Sequence, residues 1–339
     1  HKDSQINQRW KSYYLKKKLD SNKDKNISQC AILGSYMPIA RIHNNKIKGI
    51  KGGQAAGTVL VSYKNDSETS YNKSQSYNSN ISETAMFKYT NALNYLLSND
   101  LHKSYIDDMT VVHWAQAENN KNFNLLMKYM VFDDKLDNED LDAELRGVFN
   151  HIIRGTKPDF ERLNIDENTT YYMVGMVPNN SRISLKFIYK NKFGTLIRNV
   201  AHHQKDMRIT GNKEQIPFWK IKNELISPKS DKNNSDSEKI PPPLIASIFK
   251  SIVFGTNYPE QLLSTIVRRV KTDTDEENNK FIKINATRVA IIKAYINRKN
   301  RLKNKEEEIK MALDPQNSNP AYLCGRLFAL LEKVQQRAS

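Results

Sequence analysis

Three lysines, Lys46, Lys48 and Lys51, stand just ahead of Gly52, Gly53 and Gly57 in the stretch RIHNNKIKGIKGGQAAGTVLVSY, residues 41–63. Ammonium groups beside backbone that glycine leaves bare are the chemistry of an anion grip, because N–H groups and positive charge can both face a phosphate. Gln54 adds an amide able to donate to and accept from a base edge. The glycines run GGxxxG. That is neither the dinucleotide fingerprint nor the P-loop, so nucleotide hydrolysis is set aside. Taken by itself, the stretch also suits a plain surface turn leading into a strand.

A second constellation is Asp107, Asp108 and Glu118 followed by Lys121. Metal-dependent nucleases bring two acids and a lysine to one divalent ion. Here Glu118 and Lys121 are one residue too far apart to alternate on a strand, which leaves a nuclease site using Asp108, Glu118 and Lys121 as the alternative to a binding protein. Cys30 and Cys324 are distant from each other and neither belongs to a CxxC. They imply no zinc module or disulfide framework, and suit a reducing compartment. No metal or cofactor is implied. Cys30 fits a small buried hydrophobe, and His113 fits strand packing better than ligation. His202 and His203 are adjacent and would face different directions on a helix.

The elements that must hold these groups follow from periodicity. Thr58 to Tyr63 are rich in β-branched residues and predict a strand supporting the glycine loop. Residues 27–42 predict two short strands around a turn at Gly34 to Pro38. The polar run KNDSETSYNKSQSYNSN, residues 64–80, predicts a long loop in which Asn and Gln could read base edges and Tyr could stack; Asn65 is its candidate contact. Met86, Tyr89, Leu93 and Leu96 share a face, predicting a helix over 81–98 with Asn80 and Glu83 at capping-box spacing. MTVVHWAQAE, residues 109–118, predicts a buried strand, and a helix is expected over Asp140 to Ile153. YYMVGMVPNNSRISLKFIYK, residues 171–190, predicts a hairpin turning at Pro178 to Ser181, with Ile183, Leu185, Phe187 and Tyr189 on one face. A helix is expected from about Thr195 to Met207.

Residues 227–243, SPKSDKNNSDSEKIPPP, are a low-complexity run closed by three prolines. They predict a linker between a 1–226 α+β domain and a 244–339 helical-bundle domain. In the latter, helices over 242–254 and 259–272 are separated at Gly255, a third spans about 280–302 with Val289, Ile292, Ala294 and Ile296 inward, and a fourth starts at Pro320. Arg268, Arg269, Arg288, Arg298 and Arg301 read either as solvated helix faces or as a track for a phosphate backbone. The first 26 residues, with Lys16 to Lys18, fit a marginal helix docking Trp10 and Tyr13 or a basic arm.

Charge sets the class of partner. Lys and Arg number 53 against 37 Asp and Glu, a net charge of +16, and the pI is about 9.5. A polyanion is the expected partner, although abundant Lys, Asn and Ile also follow from an AT-rich genome. No apolar run approaches the ~20 residues of a membrane span, so a soluble, cytoplasmic protein is expected. The chain starts at His1 in a polar stretch and stops within an amphipathic helix, as a piece of a longer protein would.

Taken in order, GGQAAGTVLVSY with its polar loop, ISETAMFKYTNALNYLL, MTVVHWAQAE, YYMVGMVPNNSRISLKFIYK, PPPLIASIFKSIVFGTNYPEQLLSTIVRRV, RVAIIKAYINRKNR and MALDPQNSNPAYLCGRLFALLEKVQ resemble the large subunit of the type I-C CRISPR surveillance complex, Cascade (the Dvulg-subtype large-subunit family). The resemblance covers nearly the whole chain. It implies a non-catalytic subunit that caps the crRNA-bearing end of the complex, recognises the protospacer-adjacent motif in double-stranded target DNA, helps open the duplex and offers a platform to the helicase-nuclease. Its implied partners are crRNA, target DNA, other Cascade backbone subunits and the helicase-nuclease, with no membrane. Relative to the family, segments at both ends are missing and residues 64–80 replace a Gly/Ala-rich loop. The family's separately translated small subunit makes Met311 a candidate internal start, an ordinary interhelix Met being the other reading. On this reading Lys46, Lys48, Lys51, Gln54 and Asn65 contact duplex DNA, and Arg268, Arg269, Arg288, Arg298 and Arg301 the displaced strand.

Overall fold

The computed structural model describes residues 4–338 apart from 21–25, 119–120, 133–138, 155–159, 161–162, 211–214, 227–239, 274–283 and 306. Most of the expected linker therefore lies outside the described residues. By packing the chain divides into two units: 1–151 with 157–197, and 152–156 with 198–339. The architecture is α+β, with two small antiparallel sheets in the first unit and helices in the second.

The first unit begins with helix α1 (Ser4–Asp20). Trp10 and Tyr13 on it are exposed rather than docked, and Lys17 lies 5.9 Å from the Tyr13 ring centroid. Strands β1 (Ile27–Gln29) and β2 (Tyr36–Pro38) form the small sheet. Gly34 turns the chain between them at φ 72°, a value that favours glycine. Helix α2 (Glu83–Ser98) is capped by Ser82, whose hydroxyl accepts from the Ala85 N–H. The cap is thus Ser82 rather than Asn80. Both residues can cap; Ser82 lies directly before Glu83, whereas Asn80 sits at φ 48°, outside the extended region that a cap requires.

The main sheet is a meander in the order β3 (Lys103–Ile106), β4 (Met109–Ala115), β5 (Thr170–Asn179), β6 (Arg182–Lys192). The β5–β6 hairpin has the expected arms, with Asn180 at φ 53° in the turn. Its register shifts once: Gly175 faces Phe187, but Met176 faces Leu185, so Lys186 is an extra residue. Such a bulge flips the side chains beyond it. Phe187 and Tyr189 are buried while Leu185 is 43 % exposed, so the expected common face of Ile183, Leu185, Phe187 and Tyr189 is divided at Lys186.

One sheet face carries His113, Tyr171, Met173, Phe187 and Tyr189, by strand alternation. Helix α3 (Lys121–Met127), which continues as a π-turn to Phe132, brings Phe123 against Phe193. Phe193 opens α5 (Phe193–Met207) and lies 5.0 Å from Tyr171. Helix α4 (Glu139–Arg154) contributes buried Leu145, Val148 and Phe149. The other face carries Val112, Met176 and Ile183, which cluster with Ile47, Ile50 and Leu97.

The second unit takes the remainder of α5 with α6 (Phe218–Leu225), α7 (Pro242–Phe254), α8 (Glu260–Thr272), α9 (Ala286–Leu302) and α10 (Pro320–Ala338). Gly255 ends α7 at φ 70°, and a Cβ there would lie 2.6 Å from Asn199 Oδ1. No helix among the described residues is long and apolar enough to cross a membrane.

Candidate nucleic-acid interface

The lysine-glycine stretch is a closed loop, not a loop leading into a strand. Ile47 and Thr58 exchange two backbone hydrogen bonds of 2.8 Å, and nothing from Thr58 to Tyr63 extends beyond isolated bridges. Val59 reaches the β6 edge, where it accepts from the Ile183 N–H and donates to the Ser181 carbonyl. The segment leaves that edge after this single pairing with Arg182. β-branched residues favour a strand only where a neighbour continues the ladder.

Within the closed loop, two turns follow one another: the Gly53 N–H donates to the Ile50 carbonyl at 3.0 Å and the Gly57 N–H to the Gln54 carbonyl at 2.8 Å. Gly57 has φ 88°, and a Cβ on it would approach the Ile47 carbonyl oxygen to 2.9 Å. This position therefore demands glycine on both conformational and steric grounds. Ile47 and Ile50 are 1 % and 7 % exposed in the cluster with Val112, Met176 and Ile183. Burying two such side chains is worth about 3–6 kcal/mol, which fastens the loop to the sheet.

Hydrogen bonds complete the hold. Asn94, on α2, accepts from the Lys48 N–H at 2.9 Å and donates to the Lys46 carbonyl at 3.1 Å. The Lys51 N–H donates to Thr110 Oγ1. Lys46, Lys48, Lys51 and Gln54 are all exposed. The structure thus brings these four together on one pinned loop. Lys51 differs from the others, because its Nζ donates to the Asp107 carbonyl at 2.7 Å and sits 5.8 Å from the Tyr105 ring centroid. Asn94 and Thr110 were not recognisable as loop supports in the sequence, where Asn94 is a polar residue inside an apolar helical stripe and Thr110 lies in a strand.

Asn65 stands on the adjoining polar loop, exposed, at the start of a short 3-10 turn, Asp66–Glu68. Glu68 anchors that turn. It accepts from the Lys64 N–H at 2.7 Å and from both terminal nitrogens of Arg182, at 2.7 and 3.1 Å. The Arg182 hydrogen bonds, helped by the Lys64 N–H, hold the Glu68 carboxyl down at about 2. The loop following the closed stretch is therefore tied by Arg182 to the same strand end that pairs with Val59.

The acidic alternative does not assemble. Asp107 and Asp108 form the β3–β4 turn and Glu118 lies past the other end of β4. The seven-residue strand between them spans roughly 20 Å at about 3.3 Å per residue, so Asp108 and Glu118 cannot share an ion. His113 is instead fully buried in a polar network, with Nδ1 at 2.9 Å from the Tyr171 hydroxyl and 3.2 Å from Asn124 Oδ1, and Nε2 at 3.3 Å from Ser104 Oγ. Burial pulls its pKa down to about 3.

The arginines of the helical unit also require correction. Arg269, Arg288 and Arg298 are buried, at 5 %, 3 % and 1 % exposure. Arg288 donates to Glu224 and Asp273. Arg298 donates to the Ser251 carbonyl and stacks 4.1 Å from the Tyr258 ring centroid. Arg301 makes a two-armed bond to Asp206, at 2.8 and 2.7 Å. Arg268 is exposed on α8. The inward face of α9 is accordingly Arg288, Ile291, Ala294, Tyr295 and Arg298, while Val289 is 40 % exposed. The acids that make this burial possible, Asp206, Glu224 and Asp273, come from remote segments, which local periodicity cannot reveal.

Comparison with known proteins adds the family. The profile of Cas_Csd1, described as a CRISPR-associated protein, matches residues 1–339. No curated protein matches the chain. With the profile spanning its whole length, the chain belongs to the Cas_Csd1 family of CRISPR-associated proteins.

Proposed function

We infer that the chain is a non-catalytic large subunit of a type I-C Cascade, joining crRNA and the other backbone subunits, binding double-stranded target DNA beside the protospacer-adjacent motif and supporting strand opening and recruitment of the helicase-nuclease. The observation that carries this reading is the pinned loop: Ile47, Ile50 and Asn94 spend their contacts on holding a backbone whose outward side chains are Lys46, Lys48, Lys51 and Gln54. Of these, among the described residues, only Lys51 also serves the fold, through Asp107, whereas a phosphate backbone would gain charge and a base pair an amide reader. Lys46 and Lys48 grip phosphate, Lys51 supports the turn through its carbonyl contact while keeping donors for an anion, and Gln54 with Asn65 faces base edges. Family membership supports the CRISPR setting. Arg268 stays the candidate for the displaced strand, while Arg269, Arg288 and Arg298 belong to the helical core and Arg301, with its side chain 39 % exposed, is held by Asp206.

The test is target binding by assembled Cascade across a salt series. Replacing Lys48, Lys51 and Gln54 together by Ala should weaken binding and flatten the logarithmic salt dependence by about one unit for each phosphate no longer gripped. Gln54→Ala alone should relax discrimination at one base pair by about 1–3 kcal/mol with little change in salt slope. Unchanged target binding by the triple variant would overturn the assignment of the loop.

A further inference from the structure

The polar loop that follows the pinned stretch carries an aromatic ring that folding does not use. Tyr71 is 95 % exposed and, with Asn72, takes positive φ, 53° and 56°. A side chain with a Cβ enters that region at a cost, and strain of this kind concentrates where function overrides stability. The turn is nevertheless firmly built. The Lys73 N–H donates to the Ser70 carbonyl at 3.0 Å. Asn78 then staples both ends, accepting from the Ser70 N–H at 2.9 Å and donating to the Lys73 and Gln75 carbonyls at 2.9 and 2.8 Å. The base of the loop is fastened by the Ser76 N–H to the Arg41 carbonyl and by Glu68 to Arg182.

We propose that Tyr71 is a stacking finger for an unpaired DNA base, held on a rigid turn so that little ordering is needed when the base arrives. The surroundings select this partner. An aromatic anchor for another protein sits in an apolar patch that excludes water, whereas the neighbours of Tyr71 in the chain are Ser70, Asn72, Lys73 and Ser74, with Lys64 and Lys73 exposed. A single ring on a polar loop that also carries exposed lysines matches a base and its phosphates, since every base offers a π-face. The inference rests on the DNA-binding role proposed above and adds a contact that matters only where strands have parted.

The experiment uses Cascade assembled with the full chain, with subunit association read by size-exclusion chromatography, a paired target duplex, and the same duplex with a short internal bubble containing 2-aminopurine. Tyr71→Ala should bind the bubble about tenfold more weakly and lose the 2-aminopurine quenching, while binding the paired duplex as wild type does. Tyr71→Phe should keep both. Tyr71→Gly, which relieves the backbone, serves as a second ring-less variant, folded at least as stably as wild type and equally poor on the bubble. Lys46→Ala with Lys48→Ala should weaken binding to both DNAs. If Tyr71→Ala matches wild type on the bubble, the stacking role falls while the DNA-binding reading stands. If wild type binds neither DNA, both fall. If the variant loses only association with other Cascade subunits, Tyr71 is a protein contact and the proposal is overturned.

Discussion

His113 shows what a titratable residue can be for when it is walled in. Its ring lies within hydrogen-bond reach of Tyr171, Asn124 and Ser104, and stacks on Phe132 with ring centroids 5.7 Å apart. Burial lowers its pKa to about 3, and burial likewise lowers His43 and, more strongly, His203. The sign follows from proton uptake. For His113, between about 3 and the unfolded value of about 6.5 the unfolded chain holds a proton that the folded chain lacks, so folding becomes less favourable as pH falls through that window; the lowered His43 and His203 act in the same direction. His113 alone should contribute a slope approaching 1.4 kcal/mol per pH unit there. Denaturant titrations at several pH values between about 6 and about 4 should show steep acid loss in wild type. His113→Asn should be less stable at neutral pH, with its network cut, yet its acid slope should be shallower by about one proton; an unchanged slope would mean that His113 is already charged in the fold.

At the scale of elements, the closed loop separates geometry from charge. Gly57→Ala keeps every lysine but puts a Cβ 2.9 Å from the Ile47 carbonyl oxygen in a left-handed backbone. The left-handed conformation costs about 1–2 kcal/mol, and the clash adds to it. The variant should be destabilised by about 2 kcal/mol or more in thermal or urea unfolding, and under fully folding conditions should bind target DNA more weakly despite unchanged net charge. Asn94→Ala, which frees the Lys46 and Lys48 backbone, should act in the same direction with a smaller stability loss. Wild-type DNA binding by both would show that charge suffices and the pinned shape does not matter. Which elements were legible in sequence follows from how local their determinants are. The β5–β6 hairpin, α2, α5 and the stop at Gly255 are encoded by alternation, by helical period and by turn residues lying side by side. The missing strand after Thr58, the divided face at Lys186 and the inward arginines of α9 are set by partners far along the chain: the β6 edge, Gly175 and the acids Asp206, Glu224 and Asp273. The exposed lysines and Gln54 were readable as chemistry, but their clamp, Asn94, was not.

For the whole molecule, the count of 53 Lys and Arg overstates the cations available to a nucleic acid. Several cations of the helical unit are neutralised internally. Asp273 caps α8 and pairs with Arg269 at 3.6 Å and with Arg288, which also pairs with Glu224 at 2.7 Å. Lys293 donates to the Asp206 carbonyl at 2.8 Å. These buried charges stabilise only while complete, because removing one member leaves the others desolvated and unpaired. Asp273→Ala should therefore lower the unfolding free energy of the helical unit by about 3–5 kcal/mol, measured by urea titration. It also raises the net positive charge by one. A phosphate track built from Arg269 and Arg288 would gain affinity and a steeper salt slope when their acid is removed, whereas a contact made through Lys46 and Lys48 of the first unit should leave the slope unchanged. Salt-dependent target binding by the Asp273→Ala subunit in assembled Cascade, at a temperature where it remains folded, decides between them: a wild-type slope places these arginines in the core alone, and a steeper one returns them to the DNA.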